Sequence, residues 1–314
     1  EHERWTPQPE PSQVDLIAEG VKGFARTPAE VAGRVLGALG RPRDIAGQAL
    51  EAAEGVGEIV WAGLNPAPET PLNVPIGPHR RFVGVRAELR DFKLVKDTFG
   101  GTVNDVVLTA VSGSLREFLG RRGVRCEGLE LRALVPVSVR TKEQHGQLGN
   151  QIAAMRGPLP VYVADPVARL RAVKAGMDDL KRSKQAVGAE ALASVQAFAP
   201  PTVLAQASRL NFSTRLFNLI VTNVPGPQFP IYARGREMQD VFPVAFLPED
   251  HALAIAIMSY NGKVNFGLLG DYDAVPDLQE IGDGIEQALA ELVALAKKRG
   301  GPKERPKARS LSGR

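Results

Sequence analysis

The sequence predicts an α+β fold, in which helices flank one mixed β-sheet. Short apolar runs typical of strands do not alternate regularly with helical segments, as a doubly wound fold would require. Two such runs flank Asn261-Gly262, and Asn-Gly between apolar runs is the strongest short-range signal for an antiparallel hairpin. The irregular order of strands and helices thus indicates an α+β fold or a mixed sheet.

The elements follow from periodicity, breakers and caps along the chain. In order, we predict helices within 14–39 and 44–64, a proline-rich extended segment at 65–78, a strand at 82–89, helix–turn–helix at 92–120, strands at 129–140 and 151–156, a helix at 165–184, two amphipathic helices within 190–209, a strand at 219–221, a strand pair or extended segment at 231–244, hairpin strands at 253–260 and 263–269, and a closing helix at 277–298. The corresponding organisation is a linker with helices (1–65), a lobe (66–299) and a disordered basic tail (300–314).

Composition separates a neutral body from a basic tail. The net charge is +4, but residues 297–314 hold eight Lys or Arg and one Glu, so the rest carries 31 basic and 34 acidic residues. Such a body lacks the basic face of a nucleic-acid-binding protein. The tail is either a solvated end or an electrostatic contact to a membrane or lipid-droplet surface.

The chain ends give two further expectations. A single cysteine, Cys126, excludes an intramolecular disulfide and fits a reducing compartment. The first residues show neither a secretory signal nor an initiator Met, which we interpret as a fragment or processed product.

One turn is the first candidate for a functional element. The apolar run 219–221 leads into T-N-V-P-G-P at 222–227, where two prolines around a glycine should end the strand. A buried strand that ends in a rigid polar loop can present Thr or Asn at a cleft. The alternative is that the turn only terminates a core strand.

Several catalytic motifs are absent from the sequence. It contains no dinucleotide-binding glycine fingerprint, no P-loop, no nucleophile elbow and no paired-His metal motif. The four histidines, His2, His79, His145 and His251, are isolated from one another. We therefore predict no metal site and no cofactor.

Five segments, in order, resemble the bacterial wax ester synthase/acyl-CoA:diacylglycerol acyltransferase family. They are P-L-N-V-P-I-G-P-H-R-R-F (71–82), T-V-N-D-V-V-L-T-A-V-S-G-S-L-R-E-F-L (102–119), L-V-P-V-S-V-R-T (134–141), G-N-Q-I-A-A-M-R-G-P-L-P-V (149–161) and T-N-V-P-G-P (222–227). The second segment is similar to the family's Asn-Asp motif. The resemblance covers about residues 1–300.

The resemblance implies the second lobe of a two-lobe fold like that of chloramphenicol acetyltransferase. The family's catalytic H-H-x-x-x-D-G occurs nowhere in this sequence, so the chain is expected to be the C-terminal half, with the general-base histidine upstream and no catalytic residue of its own. On its own it should be inactive.

The implied reaction is acyl transfer from acyl-CoA to diacylglycerol or a long-chain alcohol, in partnership with the N-terminal lobe. The expected location is the cytoplasm, peripheral to the inner membrane or lipid droplets. The alternative is a non-catalytic lobe that binds acyl chains or acts as a scaffold.

Polar residues in the matching segments are the candidate site residues. An amide at a helix start can donate to a carbonyl oxygen, and arginines can meet the phosphates of coenzyme A. The candidates for substrate or oxyanion contact are Asn104, Asp105, Asn73, Thr222, Asn223 and Gly226, and those for phosphate are Arg80 and Arg81. Asn73 can either line the entry or fix the proline-rich loop. The alternatives are a helix-turn residue that solvates the backbone for Asn104, the partner of Thr102 in a capping box for Asp105, which the spacing favours, a plain loop residue for Asn73, and a solvated pair for the arginines.

Overall fold

The computed structural model describes residues 66–138, 152–182 and 216–300. The strands are β1 (Arg80–Glu88), β2 (Leu131–Ser138), β3 (Ile152–Leu159), β4 (Leu219–Pro225), β5 (Tyr232–Ala233), β6 (Arg236–Glu237), β7 (Leu253–Tyr260) and β8 (Lys263–Asp271). The helices are α1 (Leu89–Phe99), α2 (Val103–Arg121), α3 (Pro166–Arg182) and α4 (Leu278–Lys298). The predicted helices within 14–39, 44–64 and 190–209, and the tail beyond 300, lie outside the described residues.

A six-stranded mixed sheet organises this part of the chain, in the order β1-β8-β7-β4-β2-β3. β4 runs parallel to both β7 and β2, whereas the pairs β1–β8, β7–β8 and β2–β3 are antiparallel. The predicted α+β class with a mixed sheet is therefore confirmed. Asn261 and Gly262 both have positive φ, 44° and 81°, as a type I′ hairpin turn requires, and this confirms the predicted β7–β8 hairpin.

One face of the sheet is covered by the four helices. Their apolar residues and the alternate strand residues on this face, such as Val85, Ile255 and Phe266, form one buried core. α2 is buried on most sides because it packs against α1, α3 and α4. Its contact with α4 is close: the Ser114 hydroxyl donates to the Ile281 carbonyl at 2.6 Å. This packing fixes the N-terminus of α2 relative to the sheet.

The second face is crossed by residues 238–247, which we call the crossing segment. Gly84 of β1 and Gly267 of β8 are register partners and leave room for it. A Cβ at Gly267 would lie 1.8 Å from the Pro243 carbonyl oxygen, and one at Gly84 would lie 3.0 Å from the Phe242 ring. The small side chains therefore let the backbone lie flat on the sheet.

One predicted bound needs correction, and one predicted strand pair is shorter than the segment that holds it. β4 does not end at the first residue of T-N-V-P-G-P but continues to Pro225 along β7. The proline is tolerated because it is the last strand residue, and β2 pairs with β4 only as far as Ile220. Within 231–244 the predicted strand pair forms as the two-residue strands β5 and β6, and the rest of the segment is irregular.

Candidate functional site

Two asparagines that are distant in sequence meet at one end of the sheet. The Asn223 side-chain amide, near the end of β4, donates to Asn104 Oδ1 at 3.0 Å, and we call these residues the amide pair. Asn104 lies in the first turn of α2, where backbone N–H groups lack partners within the helix and the helix dipole is positive. Both side chains are partly exposed. The bond to Asn223 uses only Oδ1 of Asn104, so the NH₂ group of Asn104 can donate to an additional acceptor.

The N-terminus of α2 is fixed by the predicted capping box. Asp105 Oδ2 accepts from the Thr102 backbone N–H at 2.7 Å and from its hydroxyl at 2.9 Å, and the Asp105 N–H returns a bond to that hydroxyl at 3.2 Å. Asp105 is buried, and its Oδ1 has no partner among the described residues. Asp105 therefore holds the turn that carries Asn104.

The turn after β4 is held against the β7–β8 hairpin. Gln228 donates to Ser259 Oγ at 3.0 Å and accepts from the Gly262 N–H at 3.0 Å. A Cβ at Gly226 would lie 2.3 Å from the Ser259 carbonyl oxygen. The close approach expected for substrate at Gly226 is thus made by the protein's own backbone, which corrects that expectation.

Thr222 and Asn223 face opposite sides of the sheet, because successive strand residues alternate. Asn223 shares its side with Val221, which belongs to the helix-covered core. Thr222 shares its side with Ile220, which packs with Leu216 under the crossing segment. Thr222 and Asn223 therefore do not contribute to the same face, and of the two only Asn223 is on the side of α2.

Asn73 belongs to a buried network at the opposite end of β4. Its Oδ1 accepts from the Thr70 hydroxyl and from Asn218 Nδ2, both at 2.9 Å, and its Nδ2 donates to the Asn218 carbonyl at 3.1 Å. Asn218 is fully buried and directly precedes β4. Asn73 therefore ties the proline-rich segment to the sheet, which was one of its two predicted roles.

Arg80 and Arg81 also lie at that opposite end, and both have partners within the chain. Arg80 pairs with the buried carboxylate of Asp271 at 3.4 Å. Arg81 donates to the Tyr272 carbonyl at 2.9 Å and lies over its ring, 3.7 Å from the centroid. The register places Arg80 five residues from Val85, which is level with Asn223, about 16 Å along the strand. The structure does not bring these arginines to the amide pair.

The described histidines do not reach the amide pair either. His251 is fully buried just before β7, with Nδ1 2.7 Å from the Glu249 carbonyl and Nε2 3.1 Å from the Phe217 carbonyl. His79 packs edge-on against Tyr272, beside Arg80. His145 lies outside the described residues.

Two negative findings apply to the described part of the chain. It contains no group of three or more His, Cys, Asp or Glu side chains that could hold a metal ion. Among its helices, none is long and apolar enough to cross a membrane.

The fold is that of a lobe of the two-lobe acyltransferase class. A wax ester synthase/diacylglycerol acyltransferase from Marinobacter aquaeolei VT8 matches with TM-score 0.57 and 30% identity, over 80% of this chain and 57% of that chain. The epimerization domain from the third module of tyrocidine synthetase B matches with TM-score 0.50 and 12% identity, over 82% of this chain and 60% of that chain. The second likeness is one of fold alone.

Sequence comparison then gives the family. The model of the WS/DGAT C-terminal domain matches residues 148–293, and that of the wax ester synthase/diacylglycerol acyltransferase catalytic domain matches residues 1–107. The chain belongs to the wax ester synthase/diacylglycerol acyltransferase family, as the resemblance implied. Because the catalytic-domain model also matches, the chain is more than the C-terminal domain alone, which corrects that expectation.

Curated relatives agree with this assignment. A putative diacylglycerol O-acyltransferase of Mycobacterium tuberculosis is 35% identical over 286 residues, which are 89% of this chain and 55% of the relative. A probable diacylglycerol O-acyltransferase of the same species is 35% identical over 252 residues, or 80% of this chain and 54% of the relative. The chain thus spans about half the length of the curated relatives it matches.

Sequence reasoning missed three residues that build this site and its support. Asn218 could have been noticed as a polar residue directly before a buried strand. Ser259 and Gln228, which hold the turn after β4, carry no sequence signal, since their contact depends on the parallel pairing of β4 with β7.

Proposed function

We propose that this chain is part of an O-acyltransferase that transfers a fatty acyl group from acyl-CoA to diacylglycerol or a long-chain alcohol. The observation that carries the proposal is the hydrogen bond between Asn223 and Asn104. It joins the Asn-Asp segment and the T-N-V-P-G-P segment, two of the five segments through which the chain resembles its family. The names of the relatives support the acyl-transfer class.

In this reaction the acceptor hydroxyl oxygen forms a bond to the thioester carbonyl carbon and gives its proton to a general base. The tetrahedral intermediate then breaks its C–S bond, and the departing sulfur takes the proton from the protonated base. Neutral histidine is suited to this role near pH 7. The base is expected in an H-H-x-x-x-D-G segment, which this chain does not contain.

Asn104 is the residue that we assign to the oxyanion. Its amide can donate to the developing negative charge, and the N–H groups of the first turn of α2, which lack partners within the helix, add a positive potential. Asn223 acts as a positioning residue, because its bond to Oδ1 orients the Asn104 amide so that the NH₂ group faces away from β4. The capping box and the turn after β4 keep both groups in place before substrate binds.

The test is release of coenzyme A from palmitoyl-CoA with diacylglycerol or a long-chain alcohol as acceptor. It is run on this chain and on this chain joined to the H-H-x-x-x-D-G segment of a family member. We expect turnover only in the joined protein. Turnover by the chain alone would mean that His79, His145 or His251 is the general base. No turnover by either protein would favour the alternative of a non-catalytic lobe that binds acyl chains.

Within the joined protein, Asn104→Ala should lower kcat by about 10²–10³-fold, the usual cost of removing one oxyanion donor. The Kd for palmitoyl-CoA should change little, because the contact strengthens only as charge develops. Gln279→Ala, which removes an exposed amide on α4, is the matched control and should leave kcat unchanged. An unchanged kcat for Asn104→Ala would remove Asn104 from the reaction.

Association with an inner-membrane or lipid-droplet surface is part of the proposal. The support is the basic sequence 297–314, since each Lys or Arg near an anionic surface adds about 1 kcal/mol of attraction. Equal binding to anionic vesicles after removal of residues 301–314 would exclude the tail from that contact.

A further inference from the structure

Arg132 of β2 and Arg156 of β3 place two guanidinium groups on the same face of the sheet. The register pairs Leu134 with Arg156, so the side chain of Arg156 lies on the side of Leu134, away from the helix-covered core. Arg132 is two residues from Leu134 and therefore shares this side. Cross-strand diagonal neighbours of this kind lie about 7–8 Å apart, within reach of long side chains.

The Arg156 guanidinium is incompletely satisfied. Its Nε is buried and has no hydrogen-bond partner among the described residues. Burial, together with the positive charge of Arg132, lowers the pKa of Arg156. A buried cationic donor beside a second cation lowers the stability of the fold unless an anion accepts its hydrogen bond and balances its charge.

This pair differs from the two arginines that the sequence favoured. Arg80 already has the Asp271 carboxylate, and Arg81 has the carbonyl and ring of Tyr272. No carboxylate within the described residues forms an ion pair with Arg156. The unmet donor is therefore at Arg156.

The position relative to the amide pair also fits. Leu134 pairs with Ile220, so Arg156 is level with a residue three positions before Asn223 and two strands away from it. These offsets amount to about 10 Å along the strands and about 10 Å across them. The pantetheine arm of coenzyme A separates its thioester from its phosphates by a spacing of this order.

We propose that Arg156, assisted by the charge of Arg132, binds a phosphate group of the coenzyme A part of the acyl donor. This inference rests on the proposed function for the identity of the donor. A planar guanidinium with an unmet Nε donor suits bidentate contact with phosphate oxygens. The nucleotide end of the donor then lies on the second face of the sheet, and its arm leads to the rim that carries Asn104.

The experiment measures binding rather than turnover. Calorimetry with this chain compares coenzyme A, pantetheine and inorganic phosphate for the native protein and for Arg156→Gln. We expect Arg156→Gln to raise the Kd of coenzyme A about tenfold or more, the scale of one charge-assisted hydrogen bond, and to leave that of pantetheine unchanged. Arg156→Lys keeps the charge but loses the two parallel N–H donors of the guanidinium, so its Kd for coenzyme A should lie between those of the native protein and Arg156→Gln. Arg171→Gln, which removes an exposed arginine of α3, is the matched control and should leave the Kd of coenzyme A unchanged.

A stability measurement separates ligand binding from a structural role. Because Arg156 is half-buried and its buried Nε has no hydrogen-bond partner among the described residues, Arg156→Gln should leave the urea midpoint of the free protein unchanged or raise it. A lower midpoint together with weaker binding would mean a structural role and overturn the assignment. Equal affinity for coenzyme A and inorganic phosphate would also overturn it.

The two proposals can fail separately. A coenzyme A affinity that does not depend on Arg156, alongside turnover in the joined protein, would refute only the phosphate site. Arg156-dependent binding of coenzyme A in a joined protein that shows no turnover would refute only the acyl-transfer proposal.

Discussion

Replacement of Asn218 by Ala tests whether the proline-rich segment is held to the sheet by one buried amide. Asn218 Nδ2 donates to the Pro68 carbonyl at 2.6 Å and to Asn73 Oδ1 at 2.9 Å, and its Oδ1 accepts from the Arg132 N–H at 2.8 Å. The backbone N–H of Asn218, which donates to the Arg132 carbonyl at 2.7 Å, is unaffected by the change. Asn218→Ala therefore removes three hydrogen bonds and no strand pairing.

The magnitude follows from those three bonds. Each contributes about 0.5–1.5 kcal/mol net, and a buried partner left unsatisfied costs about 1–3 kcal/mol. Some of the freed groups can reach water once the segment loosens, so we expect a loss of about 3–4 kcal/mol in the free energy of unfolding. With a urea m-value of about 2 kcal/mol/M, the midpoint falls by about 1.5–2 M.

Urea denaturation followed by circular dichroism measures this loss. Gln279→Ala removes an exposed amide and one surface bond, to Asp283, and should cost less than about 0.5 kcal/mol. Asn73→Ala combined with Asn218→Ala should cost less than the sum of the single changes, because the two side chains share a bond. A loss below about 1 kcal/mol for Asn218→Ala would refute the reasoning that this amide holds the segment.

Two further substitutions test the crossing segment and a buried carboxylate. Gly267→Ala should lower the free energy of unfolding, measured by urea denaturation, by about 2–3 kcal/mol, because its Cβ would collide with the Pro243 carbonyl. Gly120→Ala is the control, since its Cβ would meet nothing within 4 Å, and it should be neutral. Equal effects of the two substitutions would contradict the packing argument. Burial acts to raise the pKa of Asp271, but three backbone N–H groups and Arg80 hold it below its usual value. The unfolded chain therefore binds more protons than the folded one, so this stabilisation is present above about pH 4 and is lost as the pH falls through the folded pKa. Asp271→Asn should be about 1–2 kcal/mol less stable than the native protein at pH 7, with a difference that shrinks on acidification; a difference independent of pH would contradict this.

Local patterns predicted what depends on neighbouring residues in the chain. The capping box at Thr102 and Asp105 needs only a spacing of three, and the β7–β8 hairpin needs only Asn-Gly between apolar runs. The stripe of α4 was predictable for the same reason: the residues from Leu278 to Leu292 recur at helical spacing and are buried. These features depend only on residues that are close together in the sequence.

Contacts between distant segments could not be predicted in the same way. The network around Asn218 joins residues about 150 positions apart, and nothing local distinguishes this amide from any other asparagine. Arg156 ends a predicted strand and lies in a segment that carries the family resemblance, but its unmet donor becomes visible only through the register of β2 and β3. Arg80 and Arg81, adjacent and conspicuous in sequence, are instead satisfied by Asp271 and Tyr272.

The T-N-V-P-G-P turn shows how register limits what a motif can present. The prolines and Gly226 predicted a rigid turn, and the structure uses both: the glycine admits the Ser259 carbonyl, and the turn is held on the hairpin. Because the strand continues through the motif, Thr222 and Asn223 are separated to opposite faces. Only Asn223 is on the side of α2. The amide pair therefore depends on which face of β4 each residue occupies, as well as on the motif. A shift of one residue between β4 and β7 would put Thr222 opposite Asn104, and a hydroxyl is too short to replace the amide at that distance. The site is therefore specified by the sheet register that Ile220 and Val221 fix through their burial on opposite sides.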